Sequence, residues 1–170
     1  MIGQKRGPEF SHFSTINNLI VLGFHRLAIN GLDNESNQPL YLNDYVLVCN
    51  GEIYNHKELC VLYNFKPKTN NDCEVILHLY NLMSTKAFDM LDGVFSIILI
   101  DKKNNEVIIA RDPYGVRPSY LCFYNNGNIG IASDMKQLLF DKNIESINAF
   151  EPGSYSVFKK IELDGSEFYI

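Results

Sequence analysis

No apolar run in this sequence of 170 residues approaches the roughly 20 needed to cross a bilayer. The first residues, Met1-Ile2-Gly3-Gln4-Lys5-Arg6, have no apolar core of a signal peptide. A membrane partner is therefore not expected. Positive charge is scarce as well: 15 Lys and Arg stand against 20 Asp and Glu, for a net charge of −5. Nucleic acids are bound chiefly through cationic contacts, so a nucleic-acid partner is not expected either. The two basic pairs, Lys102-Lys103 and Lys159-Lys160, read as solvated turns. The four cysteines, Cys49, Cys60, Cys73 and Cys122, are widely spaced with no C-x-x-C pair. That excludes a disulfide framework and a zinc site, and fits reduced thiols in a cytoplasmic chain. No glycine-rich phosphate cradle occurs, so these residues offer no ATP site. Internal repeats, low-complexity tracts and linkers are absent too, and residues 1–170 read as a single domain.

What is present is ordinary for a globular protein, 46% hydrophobic and 21% charged, with length enough for one sizeable core. The chain centres on Asn50-Gly51-Glu52-Ile53-Tyr54-Asn55. The apolar run Tyr45-Val46-Leu47-Val48-Cys49 before it reads as a buried strand, ended by an Asn-Gly pair that tolerates positive φ and turns the chain. Asn55 then caps a helix over 56–63, with Glu58 three residues on. An amide side chain beside an unshielded glycine N–H is what an oxyanion requires, and equally what an ordinary Asn-Gly turn contains.

Elsewhere, residues 1–18 are polar and turn-rich and read as a loop, followed by a strand from Leu19 that carries His25 and Arg26 near its far end. Residues 30–44 read as a loop. A helix begins near Asp72, with Val75, Ile76, Leu79, Leu82 and Met83 on one core-facing stripe. Strands are expected over 94–100, 107–110, 119–124, 129–132 and 155–158, with short helices over 87–91 and 134–140. About seven strands joined by short turns, with helices segregated, give an α+β fold with antiparallel sheets.

Five ordered stretches carry a resemblance: Phe24-His25-Arg26-Leu27-Ala28, the central hexapeptide, Asp72-Cys73-Glu74-Val75-Ile76-Leu77, Leu91-Asp92-Gly93-Val94-Phe95 and Arg111-Asp112-Pro113-Tyr114-Gly115-Val116-Arg117-Pro118. Together they closely resemble the glutaminase domain of glutamine-dependent asparagine synthetase, the eukaryotic form most of all. That domain is a class II glutamine amidotransferase with the N-terminal-nucleophile hydrolase fold. The resemblance implies a four-layer αββα sandwich of two antiparallel sheets. It implies L-glutamine as ligand, hydrolysed to supply ammonia for asparagine synthesis. Matched motif by motif, the Asn50 amide and the Gly51 N–H form the oxyanion hole. Arg26 takes the α-carboxylate through a planar fork, and Glu52 and Asp72 take the α-ammonium. No metal is implied. Taken as residues alone, Arg26 can equally pair with a structural acid, and Asp72 can equally cap a helix. Arg111 and Asp112 are expected to pair at a sheet end. His25, next to Arg26 on a strand, is expected to face away from the ligand. Cys73, at a helix start, is the one internal thiol placed for activation, but it lacks the free α-amine that serves the family as base.

The family's nucleophile is a cysteine at the mature N-terminus, and position two here is Ile2. A short strand and a helix, on the order of twenty residues, are also expected ahead of Arg6-Gly7-Pro8-Glu9 and are not found. The expectation is thus an N-terminally truncated sandwich, with its first strand and helix missing and without glutaminase activity of its own, or a pseudoenzyme that binds glutamine or glutamate without turnover. ATP and magnesium would belong to a separate synthetase polypeptide.

Overall fold

The burial pattern of the central strand decides the layering. In the computed structural model, which describes residues 2–163 and 166–169, that strand runs Tyr45–Ile53. Its side chains alternate between two apolar environments. Leu47, Cys49 and Ile53 enter one core cluster, while Val46 and Val48 enter another. It belongs to a six-stranded antiparallel sheet whose members, in chain order, are β3 (Leu40–Leu42), β4 (Tyr45–Ile53), β5 (Gly93–Asp101), β6 (Glu106–Arg111), β10 (Tyr155–Leu163) and β11 (Ser166–Tyr169). In space they lie in the order β11-β10-β6-β5-β4-β3.

The helices α1 (His56–Tyr63) and α2 (Glu74–Met83) cover one face. Val75, Ile76 and Leu79 of α2 are buried as expected, with Leu77 and Tyr80 beside them, whereas Leu82 is exposed. The opposite face meets a second layer made of two separate antiparallel sheets. One is the hairpin β1 (Phe10–Ile16) and β2 (Ile20–Arg26); the other is β7 (Tyr120–Tyr124), β8 (Ile129–Ala132) and β9 (Ile144–Ala149), in the order β8-β7-β9. Leu22 of β2 shares one core cluster with Val46, Ile100 and Val107 of the large sheet, and Ile131 of β8 packs against that cluster. Two antiparallel layers face to face, with helices outside, is the expected sandwich. The second layer also carries 3₁₀ turns at Gln4–Arg6 and Met135–Gln137, which meet beside His25.

Several elements differ from the sequence reading. Residues 10–16 form β1 rather than loop, because Asn17 and Asn18 both take positive φ, the requirement of a tight type I′ hairpin turn. β3, β9 and β11 were not expected. The helix over 134–140 shrinks to a single 3₁₀ turn capped by the Asp134 side chain, which accepts from Lys136 N–H at 3.0 Å. Lys159 and Lys160 lie in β10 rather than in a turn, and Lys159 pairs with Glu106 at 3.2 Å.

Candidate functional site

β4 does not stop at Cys49. It continues through Asn50, Gly51 and Glu52 in unbroken register with β5, Gly51 opposite Phe95. The Asn-Gly pair is no turn, and Gly51 does not have positive φ. Glycine is required for a different reason: a Cβ there would strike the Val94 carbonyl oxygen and lie 2.7 Å from the Phe95 Cα.

The ladder fixes where the Gly51 N–H points. In an antiparallel pair the backbone groups of alternate residues face alternate sides. Cys49 N–H donates away from β5, to Gln38 Oε1 at 2.6 Å, and Ile53 N–H donates away from β5, to Asp72 Oδ2 at 2.6 Å. Phe95, opposite Gly51, spends its own N–H and carbonyl on Asp112. Gly51 shares the parity of Cys49 and Ile53, so its N–H also faces the outer edge of β4. Among the described residues no strand covers that edge, because β3 pairs only with residues 45–47.

The edge opens into a cleft of about 450 Å³. Its walls are residues 23–30, on and after β2, and residues 131–133 at the end of β8; its floor is β4 and β5. It therefore lies between the two sheets of the second layer. Arg26, Asn50, Gly51 and Asp72 all line it. The Asn50 Nδ2 is buried and has no hydrogen-bond partner among the described residues. An uncommitted amide donor is costly unless something else satisfies it.

Arg26 is 7% exposed and pairs with no acid among the described residues. Its Nη1 donates to the Asp33 carbonyl at 3.0 Å and to Asn37 Oδ1 at 2.6 Å; its Nη2 donates to the carbonyls of Asn30 and Gly31. The guanidinium thus gathers the loop 30–37 over one end of the cleft. Glu52 shares Asn50's face of β4, but accepts from Asn30 Nδ2 at 3.3 Å and stays off the cleft lining.

Asp72 is not a helix cap. α2 starts at Glu74, Asn71 Oδ1 accepts from Cys73 N–H at 2.9 Å, and the Asp72 carboxylate reaches back to β4. Asn55 likewise does not cap α1; its side chain joins the Met90 carbonyl and the Asp92 N–H. Cys73 is 2% exposed, and its thiol is held well above the usual range by its hydrogen bond to Cys49, by burial and by the Asp72 carboxylate. It is a protonated core thiol. His25 bonds Ser11 at 2.8 Å on the paired strand and, contrary to the expectation that it faces away, is among the residues lining the cleft beside Arg26.

The expected Arg111–Asp112 pair does not form. The Arg111 guanidinium donates to the carbonyls of Arg117, Phe150 and Gly115. Asp112, fully buried, accepts from the N–H groups of Phe95, Tyr114, Val116 and Arg117. Burial pushes its carboxyl upward, but the bonds from Val116, Arg117, Phe95 and Tyr114 outweigh this and hold it below the usual carboxylate range. Both side chains satisfy backbone in the tight loop, and neither reaches the other. Gln38, 6% exposed and clamped on Cys49, is the site residue that sequence reasoning missed. It stands before a proline in a loop, where no periodicity marks it.

Comparison with known proteins agrees with this geometry. Residues 3–161 match the glutamine amidotransferase domain family. Glutamine-hydrolysing asparagine synthetase of Gallus gallus is 40% identical over 163 residues, covering 89% of this chain and 29% of the relative. The Brassica oleracea enzyme of the same name is 41% identical over 152 residues, covering 87% and 25%. The chain thus spans less than a third of the length of these relatives. Among solved structures, glutamine phosphoribosylpyrophosphate amidotransferase from B. subtilis superposes with a TM-score of 0.65 at 22% identity, over 88% of this chain and 34% of that one. The structure of the allosteric regulatory enzyme of purine biosynthesis gives a TM-score of 0.66 at 23% identity, with the same coverage. The fold is therefore that of the amidotransferase sandwich, and the chain belongs to the glutamine amidotransferase domain family.

Proposed function

We propose that the cleft binds L-glutamine, with its side-chain carbonyl at Asn50 and Gly51 and its amino-acid end between Arg26 and the Asp72 carboxylate; Glu52 contributes only as a second negative charge behind the lining, held by Asn30. One observation carries this reading: an unpartnered Asn50 amide, an outward Gly51 N–H, a guanidinium and a carboxylate converge on one cleft. A planar cation suits an α-carboxylate, and acidic groups suit an α-ammonium. The two neighbouring donors suit the oxygen that becomes negative when a nucleophile adds to the amide carbonyl; one such donor is typically worth roughly 2.7–4 kcal/mol in a transition state. Because all four Nη hydrogens of Arg26 are already committed to the loop 30–37, a bidentate hold on a ligand carboxylate requires at least one of these bonds to be given up, and binding loosens the loop.

These 170 residues bind glutamine without hydrolysing it. Cys49 and Cys73 border the cleft, but both are buried, and the Cys73 thiol is held protonated. Ammonia production for asparagine synthesis requires a nucleophile beyond the groups that line the cleft, and its use requires a synthetase site with ATP and magnesium, in the same protein or in a partner. Calorimetry with L- and D-glutamine tests the binding, with stereoselective heat expected for the L form. Identical heats for the two enantiomers refute it. A glutamate-release assay tests the inactivity, and turnover abolished by Cys73→Ala would overturn it.

A further inference from the structure

We infer that Gln38 is a positioning residue, a side-chain rung that holds the β4 edge in line while leaving the Gly51 N–H free for a ligand. β3 covers β4 only as far as Leu47. Past that point the outward backbone groups belong to Cys49, Gly51 and Ile53. Gln38 Nε2 donates to the Cys49 carbonyl at 3.0 Å, and its Oε1 accepts from the Cys49 N–H at 2.6 Å. That is the pair of bonds one residue of a neighbouring strand would make. Asp72 accepts from Ile53 N–H on the far side. Gly51 is therefore bracketed by one anchored residue on each side.

A strand in place of Gln38 would continue the ladder and consume the Gly51 N–H. A bare edge would leave that N–H free but unheld, and a buried edge would carry two unsatisfied groups at Cys49. A buried amide side chain supplies both partners and then stops. Positioning of this kind matters because an oxyanion donor acts only when held close to its working geometry. Gln38 also lines the cleft beside Gly51, so the clamp sits at the place it serves.

The inference rests on the glutamine-binding reading for its purpose but not for its test. The measurement is amide NMR on the isotopically labelled chain, with and without L-glutamine, for wild type and Gln38→Met, a substitution that keeps the volume and removes both bonds. Cys49 amide exchange is expected to quicken at least about tenfold, and the Gly51 amide resonance to move by more than its linewidth without ligand. L-glutamine binding should weaken about tenfold. Leu138→Ala, in the core under β7–β9, serves as the comparison: it lowers the melting temperature but leaves the Gly51 resonance and the affinity as in wild type. Should Gln38→Met not fold, Gln38→Glu keeps the acceptor for Cys49 N–H and loses the donor, and the same shifts are read on it. An unmoved Gly51 resonance, or affinity that falls equally in Leu138→Ala, overturns the inference. If wild type does not bind L-glutamine, the functional reading fails on its own, and the ligand-free Gly51 and Cys49 amides still decide whether Gln38 positions the edge.

Discussion

Asp72 Oδ2 accepts the backbone N–H of Ile53 at 2.6 Å, so the carboxylate proposed to meet an α-ammonium also closes one rung of the β4 edge. The two roles separate by substitution. Asp72→Asn keeps an oxygen for Ile53 and loses the charge; stability should change little, while L-glutamine affinity falls at least about tenfold. Asp72→Ala loses both, and urea melting should show an added cost of about 1–3 kcal/mol for the stranded, buried N–H.

Arg26→Lys should weaken L-glutamine binding although charge is preserved, because one ammonium cannot serve the loop and a carboxylate together. Hydrogen exchange reads the same change: amides in the loop 30–37 should exchange faster in the variant, and in wild type their exchange should shift on adding L-glutamine. Unchanged loop exchange in both experiments would separate Arg26 from the loop's conformation.

Asn50 and Gly51 should behave oppositely on stability. Asn50→Ala removes a buried amide donor that has no partner, so urea melting should find it neutral within about 0.5 kcal/mol or mildly stabilising. Gly51→Ala drives a methyl into the Val94 carbonyl and the Phe95 backbone and should cost about 1–3 kcal/mol. Both should abolish measurable L-glutamine binding.

Asp112 gives the chain an acid-sensitive loop. Its folded carboxyl lies below the ordinary range, so its stabilising contribution is complete above the unfolded value near about 3.9 and is lost as pH falls through the folded value. Urea midpoints measured from pH 7 down to 3 should decline in wild type, and Asp112→Asn should flatten that decline. At pH 7 the variant should be less stable by at least about 3 kcal/mol, since an amide turns donors toward N–H groups that need acceptors.

The parts of the fold legible in the sequence were those decided by local pattern. The apolar runs that became β5 and β6, and the stripe of Val75, Ile76 and Leu79 on α2, emerge from periodicity alone. Gly51 was misread because its constraint comes from β5, some forty residues along the chain, and a dipeptide cannot display a neighbour's carbonyl. β1 was misread because none of Phe10–Ile16 is buried and most of its residues are polar; only its pairing with β2 makes it a strand. Arg111 and Asp112 looked like partners by charge, yet the loop supplies carbonyls to one and N–H groups to the other. Motif order brought Arg26, Asn50, Gly51 and Asp72 to notice, and all four line one cleft. Gln38 has no such signal, because its role depends on where β3 stops.

The capped edge of β4 also bears on solubility. An exposed strand edge is a template on which another molecule can add a strand, and a run of free rungs is what makes such addition cooperative. Here Gln38 and Asp72 interrupt the run, so the edge offers an incoming strand a single rung at Gly51. One rung can hold the oxygen of a small ligand but cannot nucleate a ladder between two proteins, so the features that keep Gly51 available to a ligand also keep the edge from seeding aggregation.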